Sequence, residues 1–485
     1  MSIKELEPKE VWGYFYEITQ IPRRSKKEDK IQSYLLDFAR KHQLEAKQDR
    51  AGNVLITKPA VPGKEHVPTV ILQAHMDMVC EKNSEVVHDF DKDPIDAVID
   101  GEWVRAKGTT LGADNGIGIA AALAVLASKD IAHGKIEALF TVDEETGLTG
   151  ANLLEENFLN GSILLNLDSE EEGEIYIGCA GGKNTQAYFT YIPEEVPDDY
   201  FWFKVQVKGL RGGHSGSDID KGLGNANKIL TRFLYFFLDE KYKMELAEIG
   251  GGNLHNAIPR EAHAVVGVKD KYKENVRVKL NTFLPEIQEE YQAVEPNLDM
   301  QLESVELPSK IIDNDTAKKL ILALYACPHG VMRMSRDIPG LVETSTNLAS
   351  VKMLDNHVIE VVTSQRSSVE SSKEDVANMV TSVFRLAGAE VKYSDGYPGW
   401  KPNPHSKILN QAIEVYKNLF NQEPEVKAIH AGLECGLFLE KYPHLDMISI
   451  GPTMTDVHSP NEKVHIPSVA KWWNFLVKIL ENISA

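Results

Sequence analysis

The sequence predicts an α/β protein in which a domain with a mixed sheet flanked by helices is interrupted by an inserted α+β domain. Short apolar runs alternate with helical segments in the first part of the chain, which favours a sheet covered by helices. The middle of the chain instead shows half-buried strands and helices typical of an α+β domain. The C-terminal segment returns to the strand-and-loop pattern of the first part. The chain has 485 residues, and at roughly 100 to 200 residues per domain this length allows two to four domains.

Four short apolar runs rich in Val, Ile and Leu are predicted as strands of the first domain. Polar residues follow each of them, and the runs are 70–74, 137–142, 163–167 and 447–450. An Ala- and Leu-rich segment, 115–128, is predicted as a helix packed on this sheet. Because ligands collect at the carboxyl ends of strands in open α/β sheets, the polar residues that follow the strands are the candidate site.

The middle of the chain is predicted to be the inserted domain. Its half-buried strands are 201–207, 262–268 and 358–363, and its helices are 225–238 and 370–386. Pro193 and Pro197 lie near its start, and a Gly- and Pro-rich segment, 396–399, lies at its end. The predicted division is therefore 1–186 and 399–485 for the first domain and 187–398 for the insert.

Composition excludes several classes of function. There are 52 basic and 72 acidic residues, a net charge of −20, so neither nucleic acid nor an anionic membrane surface is an expected partner. The longest strongly apolar stretch, 117–127, is shorter than the roughly 20 residues that a membrane-spanning helix needs. The first residues resemble neither a signal peptide nor a transit peptide, which predicts a cytoplasmic location. The four cysteines form no C-x-x-C pair, so no disulfide framework or zinc knuckle is indicated.

Candidate metal ligands follow the predicted strands. His75 and Asp77 are two residues apart, so their side chains share a face and the carboxylate can orient the imidazole; an ordinary histidine is the alternative. Asp114 ends a Gly-containing loop, where the alternative is a helix N-cap. Asp168 closes the third strand, and His458 lies in the loop after the fourth. An ordinary loop histidine is the alternative for His458.

Two adjacent glutamates, Glu144 and Glu145, follow the second strand. Adjacent side chains leaving a strand point different ways, so one glutamate can bind a metal while the other faces substrate and water as a general base. A solvated acidic turn is the alternative. Five candidate ligands thus converge on one sheet edge: His75, Asp114, Glu145, Asp168 and His458. Their three carboxylates suit two divalent cations with a bound hydroxide, and zinc fits these donors, with cobalt or manganese as substitutes.

A wider set of motifs resembles the co-catalytic dizinc exopeptidases, which include carnosinases, aminotripeptidases, aminoacylases and succinyl-diaminopimelate desuccinylase. The resemblance covers nearly the whole chain and is strongest to the bacterial dipeptidases of this family. The motifs are His75-Met76-Asp77-Met78, Gly108 to Gly116, Gly178-Cys179-Ala180-Gly181-Gly182, Gly212-Gly213-His214-Ser215-Gly216, Asn256-Ala257-Ile258-Pro259-Arg260 and His430-Ala431-Gly432-Leu433-Glu434-Cys435-Gly436.

This resemblance implies a role for each candidate ligand. His75 and Asp168 would hold one zinc ion, Glu145 and His458 would hold the other, and Asp114 would bridge both. The resemblance also makes the outer segments a catalytic domain and the insert a lid. It further implies a cis peptide bond between Asp114 and Asn115.

Further residues gain roles from the same resemblance. Glu144 matches the general base, Asp77 matches the residue that supports a metal-binding histidine, and His214 matches a lid histidine that stabilises the oxyanion. Arg366 is the favoured anchor for the substrate's carboxylate, because a guanidinium can bind it through two hydrogen bonds. Asn256 and Arg260 are secondary candidates for substrate binding. The alternative for His214 is a loop histidine whose neighbouring glycines serve only the turn, and the alternative for Arg366 is an exposed lid arginine. Asn256 and Arg260 have structural roles as their alternatives.

The resemblance implies hydrolysis of dipeptides, including Xaa-His dipeptides of the carnosine type. An aminotripeptidase or an N-acyl amino acid deacylase would use the same site, and a catalytically silent zinc-binding protein is the alternative from another class. The presence of Glu144 argues against the silent protein. A homodimer through the lid domain is left open. The large insert predicts that His214 acts within its own chain.

Overall fold

The computed structural model describes residues 2–394 and 396–484. The described residues form two compact units. The first unit consists of the described residues of Met1–Gly178, Trp400–Ala428 and Leu433–Ala485, and the second unit consists of those of Cys179–Gly399 and Ile429–Gly432. The second unit is thus inserted into the first.

The α-helices of the described residues are α1 (Lys9–Thr19), α2 (Asp29–Lys41), α3 (Ala113–Ala127), α4 (Glu144–Gly147), α5 (Thr149–Leu153), α6 (Ala226–Tyr235), α7 (Lys273–Tyr291), α8 (Asn314–Ala326), α9 (Glu370–Leu386), α10 (Lys407–Phe420), α11 (Cys435–Lys441) and α12 (Ile466–Asn482). Short 3-10 helices cover Ile3–Glu5, Phe236–Leu238 and Asp270–Tyr272. In the part of the chain described, no helix is both long enough and apolar enough to cross a membrane.

The strands are β1 (Glu45–Gln48), β2 (Val54–Lys58), β3 (Val70–His75), β4 (Ala97–Asp100), β5 (Trp103–Ala106), β6 (Ile136–Thr141), β7 (Ile163–Asn166), β8 (Glu174–Cys179), β9 (Gly181–Thr190), β10 (Pro193–Glu194), β11 (Tyr200–Lys208), β12 (Gly213–His214), β13 (Glu245–Gly251), β14 (Ala257–Ile258), β15 (Ala262–Lys269), β16 (Asp299–Ser304), β17 (Ile311–Ile312), β18 (Gly330–Met334), β19 (Val342–Leu354), β20 (Val358–Ser367), β21 (Glu390–Tyr393), β22 (Glu425–Ile429), β23 (Asp446–Ser449), β24 (Met454–Thr455) and β25 (Lys463–His465).

The main sheet of the first unit has the strand order β1-β2-β6-β3-β7-β23-β8-β22. Strand β3 is parallel to β6 and β7, and β23 is parallel to β7, whereas β2 pairs antiparallel with β6. The sheet is therefore mixed, as predicted. The four parallel strands have their carboxyl ends at one edge, and His75 is opposite Thr141 there.

Local composition explains the elements that form this sheet. Strands β3 and β6 are buried at every position, which matches their near-continuous apolar runs. Helix α3 is buried almost all round because its residues are small or apolar, so it packs into the interior rather than presenting one face. All four predicted strands are present with their ends shifted by about a residue.

The second unit is built on an 11-stranded sheet with the main order β16-β11-β15-β13-β19-β20-β9-β21. Its buried core includes Phe203, Phe233 and Phe384. The α+β character predicted for the insert is confirmed, and α9 spans the predicted residues. The predicted boundary at residue 186 lies inside β9, which pairs with β20 along its length.

Candidate metal centre

The carboxyl edge of the main sheet brings the predicted ligands together. His75 ends β3, Glu144 and Glu145 begin α4 just after β6, and Asp168 lies two residues beyond β7. Asp114 lies in the first turn of α3 with non-helical backbone angles, and its peptide bond to Asn115 is cis, as the resemblance implied. Each ligand therefore lies at the end of a rigid element or in the loop next to it.

One imidazole lies between two carboxylates at the buried side of this edge. The Nε2 atom of His75 is 3.0 Å from Oδ1 of Asp114 and 3.3 Å from Oδ1 of Asp168. His75 is 1% exposed and Asp114 is 9% exposed. The resemblance assigns His75 and Asp168 to one ion and makes Asp114 the ligand shared with the second ion.

The second imidazole lies against the other oxygen of the same aspartate. The Nε2 atom of His458 is 3.0 Å from Oδ2 of Asp114 and 3.0 Å from Oε2 of Glu145. Asp114 thus directs one oxygen to each histidine. Its side chain makes no capping bond in α3, whose N-cap is Gly112, so the N-cap interpretation of Asp114 is wrong.

The residues present fit divalent cations. Two imidazoles and three carboxylates meet in one place, and Oε1 of Glu145 is buried without a hydrogen-bond donor among the described residues. A buried anion without a donor is costly unless a cation neutralises it. Imidazole and carboxylate donors suit zinc and its neighbours in the transition series.

Asp77 supports this centre through several hydrogen bonds. Its carboxylate accepts from the backbone N–H groups of Glu144 at 3.0 Å and Glu145 at 3.2 Å, and from Oγ of Ser25 at 2.8 Å. Its Oδ1 is also 3.4 Å from Nδ1 of His75. Asp77 therefore fixes the start of α4, which the sequence did not indicate, and its carboxylate lies beside the His75 imidazole on the face that the spacing predicted.

The carboxylates of the centre shift one another's titration. Burial raises the pKa of Glu144 well above its ordinary value, with Asp168 and Glu145 adding to the rise and His75 opposing it. Burial also raises the pKa of Asp168 to about 6. Hydrogen bonds to Asp114 and Glu145 raise the pKa of His458 to about 11. The carboxylates of the centre outnumber its imidazoles, so the centre carries an excess of negative charge that attracts cations.

His214 lies in the second unit, at the end of the two-residue strand β12, which pairs with β14. Its Nδ1 accepts hydrogen bonds from the backbone N–H groups of Gly216 at 3.2 Å and Ser217 at 3.0 Å. Since Nδ1 is an acceptor, the neutral ring carries its hydrogen on Nε2. Burial, reinforced by Arg366, lowers the pKa of His214 and favours this neutral form.

Arg366 is also in the second unit, within β20 rather than beyond a strand ending at residue 363, because β20 continues to Ser367. It is 6% exposed, so the interpretation of an exposed arginine is wrong. Its guanidinium donates to Oγ of Ser215 at 3.4 Å and to the hydroxyl of Tyr397 at 3.0 Å. His214 and Arg366 therefore belong to one cluster, joined through Ser215.

The two secondary candidates differ in their surroundings. The carbonyl of Asn256 accepts from the backbone N–H of Ser215 at 2.8 Å, which places Asn256 beside this cluster. Arg260 is exposed and donates through Nε to the carbonyl of Leu210 at 3.2 Å. The side chain of Arg260 also packs against Gly212, so the structure brings both Asn256 and Arg260 next to the loop of His214.

Sequence analysis assigned no role to several buried charged residues around the centre. Glu434 is fully buried and accepts from Gln73 at 2.6 Å and Thr141 at 2.8 Å. Burial raises its pKa to about 8. Arg23 and Glu462 are also buried in the first unit. Glu434 belongs to a quoted motif and Glu462 follows His458 by four residues, whereas no sequence signal marked Arg23.

Comparison with known proteins gives full-length matches. The family model "Peptidase family M20/M25/M40" matches residues 71–482. The chain is 45% identical to the cytosol non-specific dipeptidase of Escherichia coli (strain K12) over 484 residues, which cover 100% of this chain and 99% of that relative.

Two solved structures extend this comparison. The crystal structure of aminoacylhistidine dipeptidase from Vibrio alginolyticus matches with a TM-score of 0.93 and 44% identity, covering 100% of this chain and 98% of the other. A tripeptidase from Staphylococcus aureus matches with a TM-score of 0.57 and 18% identity, covering 99% of each chain, which shows a shared fold.

Proposed function

The chain belongs to peptidase family M20/M25/M40, and from this premise we propose that it is a cytoplasmic dinuclear metallo-dipeptidase that hydrolyses dipeptides, including Xaa-His dipeptides. The observation that carries the dinuclear site is the pair of Asp114 oxygens, each 3.0 Å from a different imidazole. The substrate class is supported by the two full-length relatives, which are described as dipeptidases.

In this proposal the five ligands divide into two sets that share Asp114. His75 and Asp168 hold one zinc ion, and His458 and Glu145 hold the other, with cobalt or manganese as substitutes. When bound, the ions would polarise the scissile carbonyl and lower the pKa of the attacking water. The short distances within each set support this division.

Glu144 is the proposed general base. Its neighbour Glu145 faces His458, and both backbone N–H groups are held by Asp77, so the two glutamates have fixed and different positions. Glu144 takes a proton from the attacking water and then donates it to the leaving amine. The presence of this base, beside a complete ligand set, disfavours a catalytically silent zinc-binding protein.

Two residues of the second unit complete the proposal. The Nε2–H of His214 donates to the oxyanion that develops on the scissile carbonyl, a role that suits its neutral tautomer. The Arg366 guanidinium binds the carboxylate of the dipeptide, supported by its burial and its fixed hydrogen bonds to Ser215 and Tyr397. Asn256 is a secondary candidate for substrate binding.

The test is hydrolysis by the purified protein before chelation, after chelation and after return of Zn²⁺. An Xaa-His dipeptide, a dipeptide without His, a tripeptide and an N-acetyl amino acid are compared as substrates. We expect dipeptide hydrolysis that is lost on chelation and restored by metal, with two ions per chain by elemental analysis. Cleavage restricted to the tripeptide or the N-acetyl amino acid would contradict the proposed substrate class, and full activity with one ion would contradict the dinuclear site.

A further inference from the structure

Glu462 is a buried carboxylate in the loop that carries His458. It is 1% exposed, and its two oxygens accept backbone N–H groups from four consecutive residues. Oε2 accepts from Leu111 at 2.7 Å and Gly112 at 3.1 Å, and Oε1 accepts from Ala113 at 2.7 Å and Asp114 at 3.4 Å. One side chain thus binds the whole loop that leads to the bridging aspartate.

These bonds join two loops that are far apart in the sequence. Glu462 and Leu111 are separated by 351 positions. The backbone N–H of Glu462 also donates to the carbonyl of Ser459 at 3.0 Å, which closes a tight turn directly after His458. The carboxylate therefore holds this turn against the backbone of Asp114.

His458 depends on such support more than the other imidazole does. Its side chain is 50% exposed, whereas that of His75 is 1% exposed at the end of a buried strand. The backbone φ of His458 is also positive, at 62°, a left-handed conformation that few non-glycine residues adopt and that costs some free energy. Packing alone therefore does little to fix the position of the His458 ring.

The charge of Glu462 is balanced within the same buried region. Arg23 is 2% exposed and donates to the carbonyl of Met76 at 3.0 Å, to that of Asp77 at 2.7 Å and to that of Gly112. Glu462 binds the N–H groups of the 111–114 loop, and Arg23 binds one of its carbonyls. Two buried side chains of opposite charge thus bind this loop, one through its N–H groups and the other through a carbonyl. The backbone of the loop therefore has little freedom to move.

We propose that Glu462 is a positioning residue that fastens the His458 turn to the Asp114 loop and thereby sets the affinity for the ion held by His458 and Glu145. This inference rests on the proposed function, because it assumes that Asp114 and His458 are ligands. Residues that orient metal ligands from behind contribute about 10 to 100-fold to metal affinity. The ion at His75 and Asp168 should depend less on Glu462, since His75 is fixed by β3.

The test is a Co²⁺ titration of the full-length metal-free protein, followed by visible absorption and by competition with a chelator. Glu462→Gln keeps the shape of the side chain, but its NH₂ group cannot accept from the backbone N–H groups. We expect the wild type to bind two equivalents. The Gln variant should bind one equivalent with affinity within a few-fold of wild type and the second about 10 to 100-fold more weakly.

Glu137 offers a matched control in the same unit. It is fully buried and accepts from the backbone N–H groups of Asn160 at 2.9 Å and Gly161 at 3.1 Å, but it lies near the amino end of β6, away from the ligand edge. Glu137→Gln should lower the melting temperature of the metal-free protein as Glu462→Gln does. It should leave both Co²⁺ affinities unchanged, so a merely structural role is distinguished from a positioning role.

The outcomes separate the inference from the proposed function. Two equivalents in both the wild type and Glu462→Gln, with equal affinities, would overturn the inference alone. Fewer than two equivalents in the wild type would overturn the dinuclear site and the inference with it. If Glu462→Gln does not fold, Glu462→Asp takes its place: it keeps the charge but shortens the reach, and unchanged affinity for the second ion in this variant would overturn the proposal.

Discussion

The two units place histidines in opposite electrostatic surroundings. In the first unit His75 and His458 lie against carboxylates, and their pKa values are raised. In the second unit the half-buried His214 and the buried His430 lie near Arg366, and their pKa values are lowered by burial first and by this guanidinium second. The same residue type thus belongs to an anionic cluster in one unit and to a cationic cluster in the other.

This difference indicates what each cluster can bind. A group of carboxylates with interspersed imidazoles attracts metal cations, whereas neutral imidazoles beside a guanidinium donate hydrogen bonds to anions. Hydrolysis of a dipeptide needs both kinds of site, because a cation activates the water while negative charge develops on the carbonyl oxygen. The following predictions test this division of labour.

The largest effect is expected from Asp114→Ala, which removes the carboxylate facing both imidazoles. We expect both ions to bind at least about 100-fold more weakly and hydrolysis to fall to background. Elemental analysis and initial rates measure this. Asp313→Ala in the second unit removes a helix cap and a hydrogen bond from the backbone N–H of Ile192, and it should cost about 1 to 3 kcal/mol of stability while both ions are retained. Retention of both ions by Asp114→Ala would contradict its role as the shared ligand.

Glu144→Gln should keep both ions and lower kcat by about 10² to 10⁴-fold, because the amide retains the shape of the side chain but cannot act as a base. Glu145→Gln should instead weaken metal binding, since Oε2 of Glu145 lies 3.0 Å from His458. Parallel measurements of metal content and kcat on the two variants decide between these roles. The opposite pattern would reverse the assignment of the two glutamates.

His214→Ala should lower kcat by about 10² to 10³-fold with metal content intact, as expected for the loss of one oxyanion donor. Steady-state kinetics and elemental analysis together measure this. Mixing Glu144→Gln and His214→Ala subunits tests whether the histidine acts within its own chain. No recovery of activity, with subunit exchange confirmed independently, is expected; recovered activity would mean that His214 serves the partner subunit.

Arg366→Lys should raise KM about 10-fold with a smaller change in kcat, because an ammonium cannot reproduce a two-point contact with a carboxylate. Kinetics with a dipeptide and with its C-terminal amide measure this. The amide should be a poor substrate for the wild type, and its KM should differ little between the wild type and the variant. An equal loss on both substrates would argue against carboxylate binding by Arg366.

The smallest effect concerns stability in the second unit. Burial lowers the pKa of His430 to about 3, whereas in the unfolded chain it titrates near its ordinary value of 6.5. The unfolded state therefore binds more protons as pH falls below 6.5, and His430 stabilises the folded state less at low pH. Urea unfolding of the metal-free protein should show the wild type losing about 1 to 3 kcal/mol relative to His430→Gln between pH 7 and pH 4. A difference that does not change with pH would contradict the burial of a neutral His430.

The sequence by itself determined the strands of the first unit and the residues at their ends. Near-continuous apolar runs can form only buried strands or buried helix segments, and the polar residues that follow them then collect at one sheet edge. His75, Glu145 and Asp168 could therefore be predicted as neighbours. The family could be predicted from the motifs, because a set of short motifs over the whole chain is far more specific than any one of them.

Only the tertiary structure decided which groups the Asp114 carboxylate contacts and which buried charges support its loop. Spacing and composition fit both an N-cap aspartate and a metal-ligand aspartate, since both can precede a helix. In the structure the two oxygens of Asp114 face two different imidazoles. The contacts of Arg23 and Glu462 could not be predicted from the sequence, because their partners are backbone groups of a distant loop. Almost every residue carries a backbone N–H and a backbone carbonyl, so the sequence does not show which residue will supply the partner group. Only the folded chain brings donor and acceptor together.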